Sequence, residues 1–239
     1  MKTLKSPFLV FLISLLPALY GFTNQSGSPK SDYPNYWSPD REYVYEALYT
    51  DSDGQQISSE IIRMRPTGKI WDADPKQTLM NFQLDSIVAD WSRIPATPLN
   101  GIQRAWMTDY EEGVLQTASK VWMHPLRQNQ YILTELAPFP DIVLPLKKDT
   151  SWNNTLWIYK AFGTFEGTVE CVYTLSQQEK RDYAFGSLNC WKVFAVGTHD
   201  KLGENTATYY FNEDYGFTEM NYQFFNHQKI ELKLIQCKK

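Results

Sequence analysis

Two pairs of carboxylates stand at spacings that could support acid–base chemistry: Asp72 and Asp74 in "WDADP", and Glu166 and Glu170 in "FEGTVEC". Residues two or four apart on a strand project from one face, and two acids on one face could serve glycoside hydrolysis. Solvated strand faces and turns produce the same spacing far more often, so the pairs read first as surface. The histidines His124, His199 and His227 each stand alone, as surface or turn residues, with no H-E-x-x-H and no C-x-x-C to hold zinc. No G-x-S-x-G turn offers a serine nucleophile. "DSDG" at Asp51–Gly54 opens like a calcium loop, but Gln55 and Ile62 fall where that loop needs acidic ligands. The reading is therefore of a non-enzyme, with no catalytic residue, no metal and no cofactor assigned.

The chain begins "MKTLKSPFLVFLISLLPALYG", with Lys2 and Lys5 ahead of an apolar run from Phe8 to Tyr20, the pattern of a secretory signal cleaved near Ala18–Gly21. The run is shorter than the roughly 20 apolar residues of a membrane-spanning helix. Residues 1–22 are thus expected to be a signal peptide and the mature protein to be periplasmic or extracellular. The first cysteine is Cys171, so no lipid-anchoring cysteine follows the apolar run. Without Lys2 and Lys5 the chain carries 21 basic and 27 acidic residues, a net charge of −6. That balance argues against nucleic acid as a partner, since such surfaces carry basic patches or stripes.

An exported chain meets an oxidising compartment, where its three cysteines, Cys171, Cys190 and Cys237, allow one disulfide. Pairing of Cys171 with Cys190 is the preferred reading, because both lie in neighbouring strand-like segments joined by the polar "SQQEKRDYAFGS". Three buried, reduced cysteines are the alternative.

The elements that must position these residues are short and strand-like. Residues 23–42, rich in Ser, Pro, Asn and Gly, read as a linker or extended arm tied down by Tyr36 and Trp37. "EYVYEALYT" and "ISSEIIRMR" flank an Asp-Gly turn and predict a hairpin. A helix starting at Ser38 with Pro39 in its first turn is the rival, and the alternation Tyr43, Tyr45, Ala47, Tyr49 favours the strand. Further runs follow: "QTLMNFQL", "GVLQTASKVWMH", "NQYILTELA", "TLWIYKAFG", "GTVECVYTL", "NCWKVFAVGTH", "ATYYFN", "FTEMNYQFF" and "KIELKLIQ". "LDSIVADWSRIP" could form one short helix. Pro138, Pro140 and Pro145 cannot sit in a central strand and predict an edge or crossing segment. The expected fold is mainly β, a curved antiparallel sheet forming a half-barrel or open barrel with few short helices. Residues 43–239 form one domain, with a sub-division near 137–152.

The succession "LAPFPDIVLPLKKDTSW", "GTVECVYTL", "LNCWKVFAVGTH" and "YYFNEDYGFTEMNYQF" resembles secreted proteins of Bacteroidetes-type bacteria, similar in strand pattern to periplasmic lipoprotein carriers of the LolA and LolB type. The resemblance spans about Ala137–Leu234. It implies a curved antiparallel sheet around a hydrophobic cavity, and no ligand residue is carried over from it. The carriers' N-terminal helix and lid helices have no counterpart in the sequence.

Parity in "TATYYFNEDYGFTEMNYQFF" places Ala207, Tyr209 and Phe211 on one face, and Thr218, Met220, Tyr222 and Phe224 on one face after the turn at Gly216. Glu219, Asn221 and Gln223 take the opposite, wet face. The first functional expectation is an exported soluble protein that binds an apolar small molecule or lipid on its curved sheet, with Trp157, Tyr159, Tyr209, Phe211, Met220 and Tyr222 as candidate ligand contacts. The alternative is a cell-envelope module for protein or glycan partners, with no ligand cavity. A hydrolase built on Asp72 and Glu166 ranks third.

Overall fold

The computed structural model describes residues 33–85, 107–159 and 165–238. Twelve antiparallel strands form one sheet, nearly closed into a barrel. The first half of the chain supplies β1 (Glu42–Thr50), β2 (Gln56–Trp71), β3 (Asp74–Leu84), β4 (Asp109–Gln116), β5 (Lys120–Met123) and β6 (Asp141–Val143). The second half supplies β7 (Thr150–Ile158), β8 (Gly167–Tyr183), β9 (Gly186–His199), β10 (Gly203–Asn212), β11 (Gly216–Gln223) and β12 (Lys229–Lys238).

Each half is a meander, and the two are joined at the middle of the sheet by pairing of β1 with β12. The spatial order β6-β5-β4-β3-β2-β1-β12-β11-β10-β9-β8-β7 therefore leaves β6 and β7, neighbours in sequence, as the two edges. That topology forces curvature. Laid flat, twelve strands would hold the edges about 53 Å apart, whereas the link from Val143 to Thr150 can reach at most about 25 Å. The sheet must roll up, and its two edges meet along a seam.

Alternation builds the walls. Tyr45, Ala47 and Tyr49 of β1, Ile62 and Met64 of β2, and Ile230, Leu232 and Leu234 of β12 turn inward and are buried. The Asp-Gly turn is present: Gly54 has φ +79°. Asp51 shapes the turn, one carboxylate oxygen accepting the backbone N–H groups of Asp53 (2.9 Å) and Gln55 (2.8 Å). Gly216, φ +79°, turns β10 into β11, and a Cβ there would press to 3.3 Å against the ring of Tyr36. Tyr36 and Trp37 are buried and tie the N-terminal arm to the barrel. The Trp37 indole donates to the Leu115 carbonyl at 3.1 Å, and the Tyr36 hydroxyl to that of Glu213 at 2.8 Å.

Several expectations are corrected. "NQYILTELA" is no strand: Asn129–Leu136 form a 3-10 helix, buried along its whole length. A short apolar run reads alike as buried helix or strand, and Asn129, with φ 56°, breaks the extended path at its start. "SQQEKRDYAFGS" is mostly strand, since β8 runs unbroken to Tyr183 and the turn is confined to its end. The Cys171–Cys190 disulfide does not form, and both residues are buried thiols. In the β8–β9 register Cys171 faces Gly197 while Cys190 faces Glu179. The offset of eight residues separates them by about 26 Å along the strands, against a limit of roughly 7 Å between bridged Cα atoms. Most of "LDSIVADWSRIP", from residue 86 on, lies outside the described residues.

Candidate functional site

The barrel interior is filled by the chain itself. Residues 129–141 are all buried, and the helix Asn129–Leu136 leads into "APFP", which crosses the lumen. Pro138 and Pro140 carry no N–H, so this segment brings fewer buried donors inside than an ordinary strand would. Its carbonyl groups are met from the walls: Asn205 Nδ2 donates to Leu136 at 2.8 Å, Tyr173 donates to Phe139 at 3.1 Å, and the hydroxyl of Tyr209 donates to Pro138. Gly197 allows the approach, since a Cβ there would lie 3.0 Å from Pro138.

Charged groups hold the start of the same segment. Arg127 donates to both carboxylate oxygens of Glu135 (3.0 and 2.9 Å) and to Glu112. Tyr131 donates to Glu60, whose pKa is raised chiefly by burial.

The six predicted ligand contacts divide into two groups. Tyr209, Phe211, Met220 and Tyr222 lie in the packed interior, none more than 3% exposed. Tyr209 meets Phe217 and Tyr222 edge-on at 5.9 and 5.8 Å, and Phe211 meets Tyr36 at 5.2 Å. Trp157 and Tyr159 lie instead on the outside, each 72% exposed, while Leu156 and Ile158 beside them turn inward. The structure does not bring the two groups together. Glu219 departs from the wet face expected of it: it is 4% exposed and accepts both Nε (3.1 Å) and Nη2 (2.8 Å) of Arg181. A bulge between Tyr210 and Phe211 shifts the parity there.

Trp157 and Tyr159 stand on a cleft of about 300 Å³ along the seam. Leu115, Trp122 and Phe139 form one wall and residues Asn154–Tyr159, of edge strand β7 and just beyond, form the other. Trp122 gains its position from the alternation of "KVWMH": Val121 and Met123 are buried, so Trp122 and His124 take the other face. His124 sits edge-on to Trp122 (4.7 Å) and Trp71 (5.5 Å) and 5.4 Å from Phe139. Burial, aided by the Arg127 charge, holds its pKa down at about 3, so the ring is neutral at physiological pH. Lys120, also on the cleft, is paired at 2.8 Å with the fully buried Asp141.

A second hollow, of about 550 Å³, adjoins the first and shares Trp157, Ile158 and Tyr159 with it. Glu166, Thr168 and Asp200 complete its lining, with Gly167 between the two acids. His199 ties this floor together. Its Nε2 lies 2.9 Å from the Phe165 carbonyl oxygen, to which it can only donate, and its Nδ1 accepts the Lys201 backbone N–H at 3.0 Å. Far from a surface residue, the His199 side chain is fully buried.

In each carboxylate pair one member is engaged in a structural hydrogen bond. Asp74 organises a turn, accepting from the Lys76 backbone (3.1 Å) and the Gln77 side chain (2.9 Å), and Glu170 accepts from Thr155 across β7–β8 at 2.8 Å. Among the described residues no cluster of His, Cys, Asp or Glu could hold a metal ion. Trp122, Phe139, Leu115 and Asp200 escape sequence reading because nothing local marks them. Only the rolling of the sheet carries β5 to face β7.

No family model matches the chain, and no curated protein matches it. Among solved structures it is similar to a candidate exported protein with a YmcC-like fold from Bacteroides fragilis, at 10% identity and TM-score 0.42 over 87% of this chain and 98% of that one. It is similar to a candidate lipoprotein from Parabacteroides distasonis, at 9% identity and TM-score 0.46 over 84% and 96%. A third likeness is to the hypothetical lipoprotein YmcC of Escherichia coli, at 10% identity and TM-score 0.38 over 86% and 92%. These likenesses are weak, and the site rests on the chain's own residues.

Proposed function

We propose that the chain is an exported protein that binds a hydrophobic or lipid-like ligand in the cleft along its barrel seam. The observation that carries this reading is the apolar and aromatic lining of the cleft, from Leu115, Trp122, Phe139, Leu156 and Ile158, beside two rings that remain 72% exposed. Binding sites are concave, mostly apolar and furnished with a few polar groups, and Lys120 and His124 supply those here. An exposed tryptophan and tyrosine two residues apart at the end of an edge strand are otherwise a liability for solubility. Export is supported by residues 1–22, with Lys2 and Lys5 ahead of the apolar run. Among the described residues no helix is long and apolar enough to cross a membrane.

The reading keeps the apolar-ligand role of a carrier of the LolA and LolB type but moves the ligand from the lumen, occupied by residues 129–141, to the seam. Solvent extraction of the purified protein followed by mass spectrometry, with titration of the neutral dye N-phenylnaphthylamine, tests it. A co-purifying apolar molecule or saturable dye binding at one site supports the reading; neither a ligand nor dye binding defeats it. A cell-envelope interaction module is the second reading, favoured by the exposure of Trp157 and Tyr159 and by the outer edge of β7, which pairs with no other strand among the described residues.

A further inference from the structure

We propose that the ligand of the seam cleft is an amphiphile with a cationic head group, its apolar chain lying between Trp122 and Ile158 and its ammonium group held among Trp157, Tyr159, Glu166 and Asp200. The inference rests on the seam reading above and names the chemical class of its ligand. The two hollows share Trp157, Ile158 and Tyr159, so one molecule can run from the first into the second. Along that path the lining changes character. At one end it is Leu115, Trp122, Phe139 and Leu156; at the other it is two exposed rings with Glu166 and Asp200.

Two ring faces and two carboxylates select for positive charge. A cation is drawn to the negative face of tryptophan or tyrosine, and carboxylates in a hollow with apolar walls concentrate that attraction. Among the described residues neither acid is paired with a lysine or arginine. Asp200 Oδ1 lies 3.1 Å from His199 Nδ1, but that nitrogen accepts the Lys201 N–H and presents no proton to the carboxylate. Among the described residues no cation pairs with the Glu166 carboxylate. Lys201, beside Asp200 in sequence, directs its ammonium at 2.7 Å onto the Glu166 backbone carbonyl, not its side chain. At the other end Lys120 is matched by Asp141 at 2.8 Å, so the apolar cleft carries no net positive charge to repel the ligand. Gly167 keeps the acidic floor open, since a Cβ there would come within 3.2 Å of Asp200 Oδ1.

The test is isothermal titration calorimetry of the mature chain with dodecyltrimethylammonium, dodecyl maltoside and dodecyl sulfate, each below its micelle concentration. Their apolar chains are identical and only the heads differ. The trimethylammonium head is expected to bind about 10-fold tighter than the neutral one, with sulfate weakest. In the double variant Glu166→Gln, Asp200→Asn that preference should vanish while maltoside affinity stays unchanged. Both substitutions fall on exposed side chains, and far-UV circular dichroism checks that the fold is intact. Equal affinity for all three heads, or a preference that survives the double substitution, overturns the inference and leaves the seam reading standing. Failure of all three to bind defeats the seam reading itself, and the inference with it.

Discussion

The hydroxyl of Tyr173 on β8 donates across the barrel to the carbonyl oxygen of Phe139, 3.1 Å away. Tyr209 makes the equivalent bond to Pro138. Two tyrosines that alternation alone would place in an apolar core are thus the polar fastenings of an internal segment that crosses the lumen without strand pairing.

Removing either hydroxyl leaves a buried carbonyl without its donor. Tyr173→Phe and Tyr209→Phe are each expected to lower stability by about 1–2 kcal/mol, read as a lower urea midpoint at unchanged slope. Amphiphile binding should not change, because neither residue lines the seam. A midpoint equal to that of the parent protein would show that water or a rearranged partner satisfies these carbonyls.

Arg127 joins two acids that are themselves nearly buried, Glu112 and Glu135. Losing the cation leaves uncompensated buried charge. Arg127→Met should therefore cost on the order of 3 kcal/mol, more than Arg181→Met, whose partner Glu219 is also buried but whose own side chain is 34% exposed against 17% for Arg127. Comparison of the two denaturation curves checks the ranking.

His124 carries a folded-state pKa depressed to about 3 by burial and by Arg127. The unfolded chain takes up a proton there near pH 6.5 while the folded chain stays neutral, so stability is complete above pH 6.5 and falls as the pH drops toward 3. Between pH 6.5 and 4.5 the loss from this group is roughly 2–3 kcal/mol. Glu60 works in the opposite sense: its raised pKa favours the protonated folded state, so its contribution declines as pH rises above the unfolded carboxylate range. In His124→Phe the acid limb of a stability–pH profile should flatten by the amount stated, and an unchanged limb would contradict the assignment.

Much of the fold is legible in the sequence, and its limits have physical causes. The parity of Tyr43, Tyr45, Ala47 and Tyr49, the Asp-Gly turn at Gly54 and the turn at Gly216 depend on neighbours in the chain, and they are found as expected. Pro138 and Pro140 lie in the crossing segment that leads into edge strand β6, and Pro145 lies just beyond that strand, as their missing N–H groups require. By contrast, Asn129–Leu136 mixes Tyr131, Ile132, Leu133 and Leu136 with four polar residues in no strand or helix period, and its shape is set by the lumen it fills. Glu219 looks like solvent-facing polarity until Arg181 is brought to it from β8. The site follows the same division. Trp157 and Tyr159 stand out in sequence, whereas Trp122 and Phe139 join them only because the short β6–β7 link draws the sheet edges together.

The buried thiols offer a direct check on register. Cys171, its pKa pushed up to about 12 by burial, and Cys190 should both resist thiol reagents until the protein unfolds. Reducing agent should not move the unfolding midpoint, and peptide mapping without reduction should recover no Cys171–Cys190 cross-link. A recovered cross-link would require a different β8–β9 pairing.

The claim that the ligand lies in the seam, outside the filled lumen, is met most directly by the affinity of N-phenylnaphthylamine for the protein carrying Trp157→Ala. Trp157 is 72% exposed, so its removal should leave the urea midpoint unchanged. Loss of one aromatic wall should weaken dye binding by about 10-fold, the equivalent of 1.4 kcal/mol. Unaltered affinity in Trp157→Ala, together with weakened binding in Met220→Ala measured under fully folded conditions, would place the ligand in the lumen and contradict the seam.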